Sequence, residues 1–445
     1  MVLALFYPIK RIFVLLTVSL FLFKCTTAQS RRIMENNSDF QMDTSEVNKL
    51  VNLDSIRQHA LLKYDSAVEV VSGIQQQKDM GEWIHSVFNK QKDTVIYSEK
   101  PDTDMHFSVL PGAGYTLQTG FAVVLGINLS YSNDTAWNTK ISRITSSFTY
   151  TQYNQTILPF QADLWTKGNR WNYITDLRYM NYPSPIYGLG GKTDPNIGYT
   201  INFSQIRIHQ SVLKSVSKNL YAGLGYFYDH FYNIQVVDSL AHKVERRIAH
   251  ELGTTETASG IAFRVMYDSR LNQINPLQGF YSSVTFRTSE KALGSDHNWQ
   301  SIQIDTRAFF KFPRNSGNVL AFWMFDWLTT HGTPPYLLLP STGWDDNYNT
   351  GRGYIQGRFR GKDMYYFETE YRFGLTRNGL LGGVVFANVE HFSGDISSQY
   401  TKLYPGYGMG IRLKLNKYDR TNLCIDYGFG SNGSHGFFVN LGEVF

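Results

Sequence analysis

The sequence predicts an all-β chain: a transmembrane antiparallel β-barrel of about sixteen strands, with a short, partly helical N-terminal periplasmic segment. Three observations predict it. The chain opens on an export signal. It carries 29 Tyr, 30 Phe and 37 Gly, yet its mean hydropathy is −0.29. From His106 onward, apolar and polar residues alternate in segment after segment. Lipid-facing and lumen-facing side chains alternate along a membrane strand, so a barrel averages to a hydrophilic chain with no long apolar run.

The export signal comes first. Lys10 and Arg11 precede an apolar stretch from Ile12 to Phe23, too short for a membrane span, and Thr26-Thr27-Ala28 offers small residues for cleavage. Residues 1–28 read as a signal peptide. Cys25 invites lipidation, but Lys24 stands where a lipobox needs a small residue. Cleavage removes Lys10, Arg11 and Lys24 and no acid, so the formal charge falls from +5 to +2. No Lys/Arg cluster points to nucleic acid. Cys424 then stands alone, which excludes an internal disulfide framework and a cysteine metal site.

Residues 29–104 are polar and low in Gly. Val51, Leu53, Ile56, Ala60 and Leu61, and Met80, Trp83, Ile84, Val87 and Phe88, follow helical spacing. This segment reads as periplasmic, partly helical or disordered. The barrel then spans 105–445. Its strands are predicted near 105–116, 118–132, 140–152, 156–167, 170–180, 199–214, 218–235, 259–271, 279–291, 298–311, 318–331, 361–376, 379–393, 404–416, 419–430 and 434–445. Long connections at 181–198, 236–258 and 332–360 suit one end of a barrel. Turn-formers such as Asn315-Ser316-Gly317-Asn318 suit the other.

The chain is organised around Gly351 to Phe373. Gly351-Arg352-Gly353-Tyr354 is a glycine-flanked arginine followed by an aromatic, with Arg358 and Arg360 close behind. Tyr365, Phe367, Thr369, Tyr371 and Phe373 then alternate with Met364, Tyr366, Glu368, Glu370 and Arg372, so one strand face is aromatic and the other charged. A soluble sandwich would bury the aromatic face, and a membrane barrel would show it to lipid. The export signal, the aromatic load and the C-terminal strand favour the barrel. In that last strand Phe437, Val439, Leu441 and Phe445 share a face, broken only by Glu443.

These stretches resemble the Omp85 superfamily, the BamA/TamA-like barrels also called bacterial surface antigen D15 proteins. Arg352-Gly353-Tyr354 resembles the loop-six signature of that family, and Glu370 falls where it keeps a lumenal acid. Tyr267-Asp268-Ser269-Arg270 through Asn275-Pro276 to Gly279-Phe280 resembles its strand-turn-strand. Cys424-Ile425-Asp426-Tyr427-Gly428 to Phe445 resembles its closing hairpin and C-terminal β-signal. Two departures stand out. Residues 29–104 leave room for one POTRA domain at most and show no trace of it, which is similar to POTRA-less Bacteroidetes members. The family's Phe-x-Asp appears as Phe386-Ala387-Asn388, so the acid that would face the loop arginine is an asparagine, and the burden shifts to Glu370 and Glu390.

The resemblance implies an outer-membrane protein in assembly or translocation, acting through a lateral seam between the first and last strands. Its partners would be outer-membrane lipid, envelope assembly proteins and unfolded client proteins. It implies a lumenal latch of Arg352, Gly353, Tyr354 and Glu370, supported by Phe386, Asn388 and Glu390. A guanidinium and a carboxylate can join through two parallel hydrogen bonds, which fixes orientation as well as position. The other lumenal charges, Glu368, Arg372, Arg412, Lys414, Asp305 and Arg307, read as a hydrated interior. No cofactor or metal is expected. Ser434 beside His435 is the nearest approach to a catalytic pair, and adjacent strand residues face opposite sides. A passive pore or anchoring barrel is the alternative, and a barrel lipase comes last.

Overall fold

The computed structural model describes residues 77–83, 105–134, 139–190, 198–237, 253–393, 402–417 and 420–445. The predicted signal peptide lies outside the described residues. So does all of the N-terminal segment except 77–83 and its helical turn at 80–83.

Strands β1 (His106–Thr116), β2 (Gly120–Ser132), β3 (Ile141–Thr151), β4 (Thr156–Trp165) and β5 (Trp171–Asn181) lead to the short β6 (Ser184–Ile186). Then come β7 (Tyr199–Ser217), β8 (Leu220–Val236), β9 (Glu256–Asp268), β10 (Gly279–Ser289), β11 (Trp299–Lys311) and β12 (Val319–Gly332). The last five are β13 (Asp363–Gly374), β14 (Leu381–Phe392), β15 (Tyr404–Lys414), β16 (Asn422–Gly430) and β17 (His435–Leu441). Each long strand coincides with a predicted segment. The three-residue β6 is the addition, and it pairs with the start of β7 alone.

Every long strand pairs antiparallel with the next, and β5 pairs with β7 directly. β17 and β1 come together to close the wall, with Leu117 filling the space beside Gly436 and Val439 approaching Gly114. Among the described residues no hydrogen-bonded register joins β17 to β1.

Alternation decides between the sandwich and the membrane barrel. Along β2, Phe121, Val123, Leu125 and Ile127 are 57, 59, 47 and 39 % exposed, while Ala122 and Asn128 are buried. On β15, Tyr407, Met409 and Ile411 are exposed and Arg412 is buried. The apolar face is outermost on one strand after another. A belt of that extent is foreign to a water-soluble surface and natural against lipid. No described helix is long and apolar enough to cross a membrane, so the strands make the crossing.

The two ends of the barrel differ. The loop 333–362 and the described ends of the connections after β5 and β8 lie at one end, and turns such as 166–170, 218–219, 312–318 and 375–380 at the other. The turn at 80–83 docks at the turn end. There the Lys78 N–H donates to Asn378 O at 2.8 Å, and Lys417 pairs with Glu82.

The loop 333–362 does not stay outside. Its Tyr336, Leu337, Leu338, Leu339 and Trp344 pack on Phe203, Phe231 and Trp299 of the wall as one buried apolar cluster. A second cluster joins Tyr354 and Phe359 of the loop to Trp323, Tyr366, Phe392 and Tyr404.

One prediction about the last strand fails. Phe437, Val439 and Leu441 do face outward, but β17 ends at Leu441 and Phe445 is only 3 % exposed. Gly442 takes φ +90°, a left-handed conformation that glycine adopts without penalty. There the chain leaves the wall and turns into the lumen. Phe445 stacks on Trp323 at 5.2 Å between ring centroids, and its carbonyl accepts from Arg372 Nη2 at 2.9 Å. Glu443, which breaks the outward apolar pattern, pairs with Arg412 inside the barrel at 2.8 Å.

Candidate functional site

The site is built where the loop 333–362 meets β13–β16. Asp345 organises the loop first. Its Oδ1 accepts the N–H groups of Asn349 (2.9 Å) and Thr350 (2.7 Å), and Thr350 Oγ1 accepts the Gly343 N–H at 2.9 Å. This ties 343–350 into a compact turn. The backbone then runs through Gly351 at φ +77° and Gly353 at φ +113°. An L-side chain is disfavoured at both, so the two glycines set the tip that projects Arg352.

Arg352 is 1 % exposed. Its Nη2 donates to Glu368 and Glu370, and its Nη1 to Asp426 at 2.5 Å. Its guanidinium also lies over the Phe386 ring, 3.7 Å from the centroid. Glu368 and Glu370 reach it from β13, Phe386 from β14 and Asp426 from β16, so one loop residue spans most of the C-terminal wall. Inward parity on each strand places these side chains.

Neighbouring cations extend the network. Arg372 pairs with Glu370 at 2.6 Å, Arg412 pairs with Asp426 and Glu443, and the Tyr366 hydroxyl donates to Glu368. The expectation of a simply hydrated interior is therefore corrected for these charges. Glu368, Glu370 and Asp426 have no exposed surface, because the loop displaces water and the charges must satisfy one another. Arg307 and Asp305, on β11 and separated from β13 by β12 alone, are likewise paired at 2.7 Å.

Tyr354 fastens the far side of the tip. Its hydroxyl donates to Pro405 O at 2.6 Å and accepts the Ser431 N–H at 2.8 Å. Phe359 packs between Tyr354 and Tyr404, with centroids at 5.3 and 3.9 Å. Ser434 donates to Gly353 O at 2.7 Å, while His435 meets Tyr427 at 2.7 Å. That serine is occupied by the loop and does not touch the histidine beside it in sequence.

The supporting residues divide. Phe386 lies under the guanidinium. Asn388 Nδ2 donates to the Arg352 carbonyl at 2.9 Å, so it holds the arginine's backbone. Glu390 does not take up an acid's role toward Arg352. It accepts from Thr342 Oγ1 at 3.1 and 3.2 Å, since its place on β14 puts it beside the loop's entry near Gly351. The expectation that Glu390 shares the arginine is corrected accordingly.

The sequence reading passed over what makes room for the tip. Gly406 on β15 and Gly428 and Gly430 on β16 form a side-chain-free patch of the inner wall. A Cβ on Gly406 would lie 2.6 Å from Arg352 O, one on Gly428 2.7 Å from Gly353 N, and one on Gly430 2.6 Å from the Tyr354 ring. Loop backbone lies directly on strand backbone. The signal is present as alternate glycines in Gly406-Tyr407-Gly408-Met409-Gly410 and Gly428-Phe429-Gly430. Asp426 shares the inward parity of Gly428 and could have been found the same way.

No known protein family matches the chain, and no curated protein matches it. Solved structures of similar shape include BamA from Haemophilus ducreyi lacking POTRA domains 1-3, at 14% identity and TM-score 0.47 over 74% of this chain and 69% of that one. CdiB from Acinetobacter baumannii gives 12% and 0.49 over 76% and 60%. CdiB from Escherichia coli gives 10% and 0.48 over 77% and 63%. This chain thus spans less than two thirds of either CdiB. Likeness at this level carries neither family nor function, so what the barrel does has to be argued from its own residues.

Proposed function

We propose that the chain is an outer-membrane barrel of the Omp85 type, exported by a cleaved signal peptide, that helps assemble or translocate other envelope proteins through the seam between β1 and β17. The observation that carries this reading is the seam. Each other long strand has hydrogen-bonded neighbours on both sides, whereas among the described residues β17 and β1 touch without a ladder. An edge with unpaired N–H and C=O groups is a template on which a client strand can add. The motif resemblance at Arg352-Gly353-Tyr354 and Glu370 supports the same reading, and the latch would hold the barrel shut between clients. This function needs no cofactor and no bond-breaking chemistry. Its partners are outer-membrane lipid, unfolded client barrels and envelope assembly proteins. A passive pore fits less well, because the loop 333–362 and its apolar clusters occupy the lumen.

A Cβ on Gly114 would stand 3.7 Å from Val439 Cγ2, so cysteines at these two positions are the pair to test for cross-linking the seam. With that disulfide formed, other outer-membrane proteins are expected to accumulate unassembled, and reductant should restore them. Unimpaired assembly with a fully locked seam would leave the anchoring-barrel reading in its place.

A further inference from the structure

A groove runs up the outside of the wall at β5, β7 and β8, remote from the seam. Its floor is Val212, Ala222 and the backbone of Gly223 and Gly225, and its rims are Trp171 on one side and Leu224 and Tyr226 on the other. Trp171, Leu224 and Tyr226 are all exposed. The groove opens on the lipid-facing side, so it meets acyl chains and not water.

One end of the groove is basic. Lys214 stands opposite Trp171 in register, with Nζ 5.5 Å from the ring centroid. Three residues further along, β7 ends and the chain enters the turn at the short-turn end of the barrel. That turn carries Lys218, and the neighbouring turn, 166–170, carries Lys167 and Arg170. All four basic residues are exposed. The Ser215 N–H donates to Arg170 O at 2.9 Å, which joins the two turns into one surface. The outward positions of β5, β7 and β8 carry no carboxylate, and neither turn has one.

We infer that this groove is a binding site for an anionic glycerophospholipid of the turn-side leaflet. One acyl chain lies between Trp171 and Leu224, and the phosphate is held by Lys214, Arg170 and Lys218. The charge arrangement selects this occupant. A cluster of cations with no acid among them, set where an apolar wall meets the headgroup layer, attracts a negative headgroup. The small residues of the floor give the chain attached to that headgroup a seat. Trp171 at this level matches the preference of aromatic rings for the interface.

Native mass spectrometry of the purified full chain tests this, with phosphatidylglycerol and phosphatidylethanolamine of the same acyl chains. Wild-type protein should retain phosphatidylglycerol in preference. Arg170→Gln, Lys214→Gln and Lys218→Gln should weaken retention by about fivefold for each charge removed. Ala222→Trp fills the floor with every charge intact and should abolish retention. Arg314→Gln with Arg377→Gln, on other turns of the same end, should leave it unchanged. The heat-induced gel shift establishes that each variant is folded, as these exposed positions predict. Equal loss in the Arg314/Arg377 control, or retention in the Ala222→Trp variant, overturns the site. Displacement of the lipid by inorganic phosphate alone would show a bare anion site and also overturn it.

Discussion

Asn388 Nδ2 donates to the backbone carbonyl of Arg352 at 2.9 Å, and nothing joins its amide to the guanidinium. The position where the resemblance leads one to expect an acid therefore holds the arginine by its main chain. The guanidinium is already met by Glu368, Glu370 and Asp426.

Placing an acid at this position should therefore harm this protein. Asn388→Asp replaces a donor by a carboxylate facing a carbonyl, leaves the Arg352 oxygen without its partner, and adds a negative charge to a buried cluster. The expected loss is roughly 1–3 kcal/mol of stability. Urea denaturation in detergent micelles checks it, and a stabilised variant would mean that the side chain turns to the guanidinium instead.

Removing the arginine should cost more than removing any one acid. Arg352→Met leaves three carboxylates buried without their shared cation, for an expected loss of about 3–5 kcal/mol. Glu368→Gln keeps Glu370 and Asp426 on the guanidinium and should cost distinctly less. Midpoints of the heat-induced shift on semi-native gels rank the two variants. The reverse order would refute a cluster centred on Arg352.

Period-two alternation made the wall legible from sequence, because every stave has one lipid face and one lumen face. It also turned Glu370 inward, since a charged face on β13 must point to the lumen, whereas Arg352 stood out through the loop-six resemblance and its flanking glycines. It did not reveal what the loop would do to that lumen. Glu368, Arg372 and Arg412 read as charges in water, because displacement of that water by residues 333–362 is a tertiary event. The inward turn of Phe445 was hidden for a similar reason. Strand parity placed it outside with Leu441, and the parity rule ended at Gly442, where the backbone becomes left-handed. The β1–β17 seam was expected as the closing pair, but no strand pattern shows whether two edges hydrogen-bond.

Phe445 offers a separate probe of the lumen. Its ring stacks on Trp323 at 5.2 Å and lies 6.1 Å from Phe309. Phe445→Ala empties that place, and the expected cost is about 3–5 kcal/mol. The Trp323 environment becomes more polar, so tryptophan emission in the folded barrel should shift to longer wavelength. An unshifted spectrum with unchanged stability would contradict the buried position.

The glycine patch makes the strongest demand on the loop. At Gly428 an added Cβ would stand 2.7 Å from Gly353 N and 3.0 Å from Gly353 Cα. Both neighbours are backbone, so no rotamer change relieves the contact. Gly428→Val should leave the β15–β16 ladder in place while lifting the tip of the loop off the wall. Arg352 then loses its reach to Glu368, Glu370 and Asp426, and the lumen opens along the path that the tip had filled. Planar-bilayer recordings should show little or no conductance for the wild-type barrel and steady channels for the variant. Limited proteolysis should cut the variant within 341–360 and leave the wild type intact. A closed, protease-resistant Gly428→Val barrel would mean that the loop tolerates a side chain at the contact, and the latch would then not depend on backbone meeting backbone.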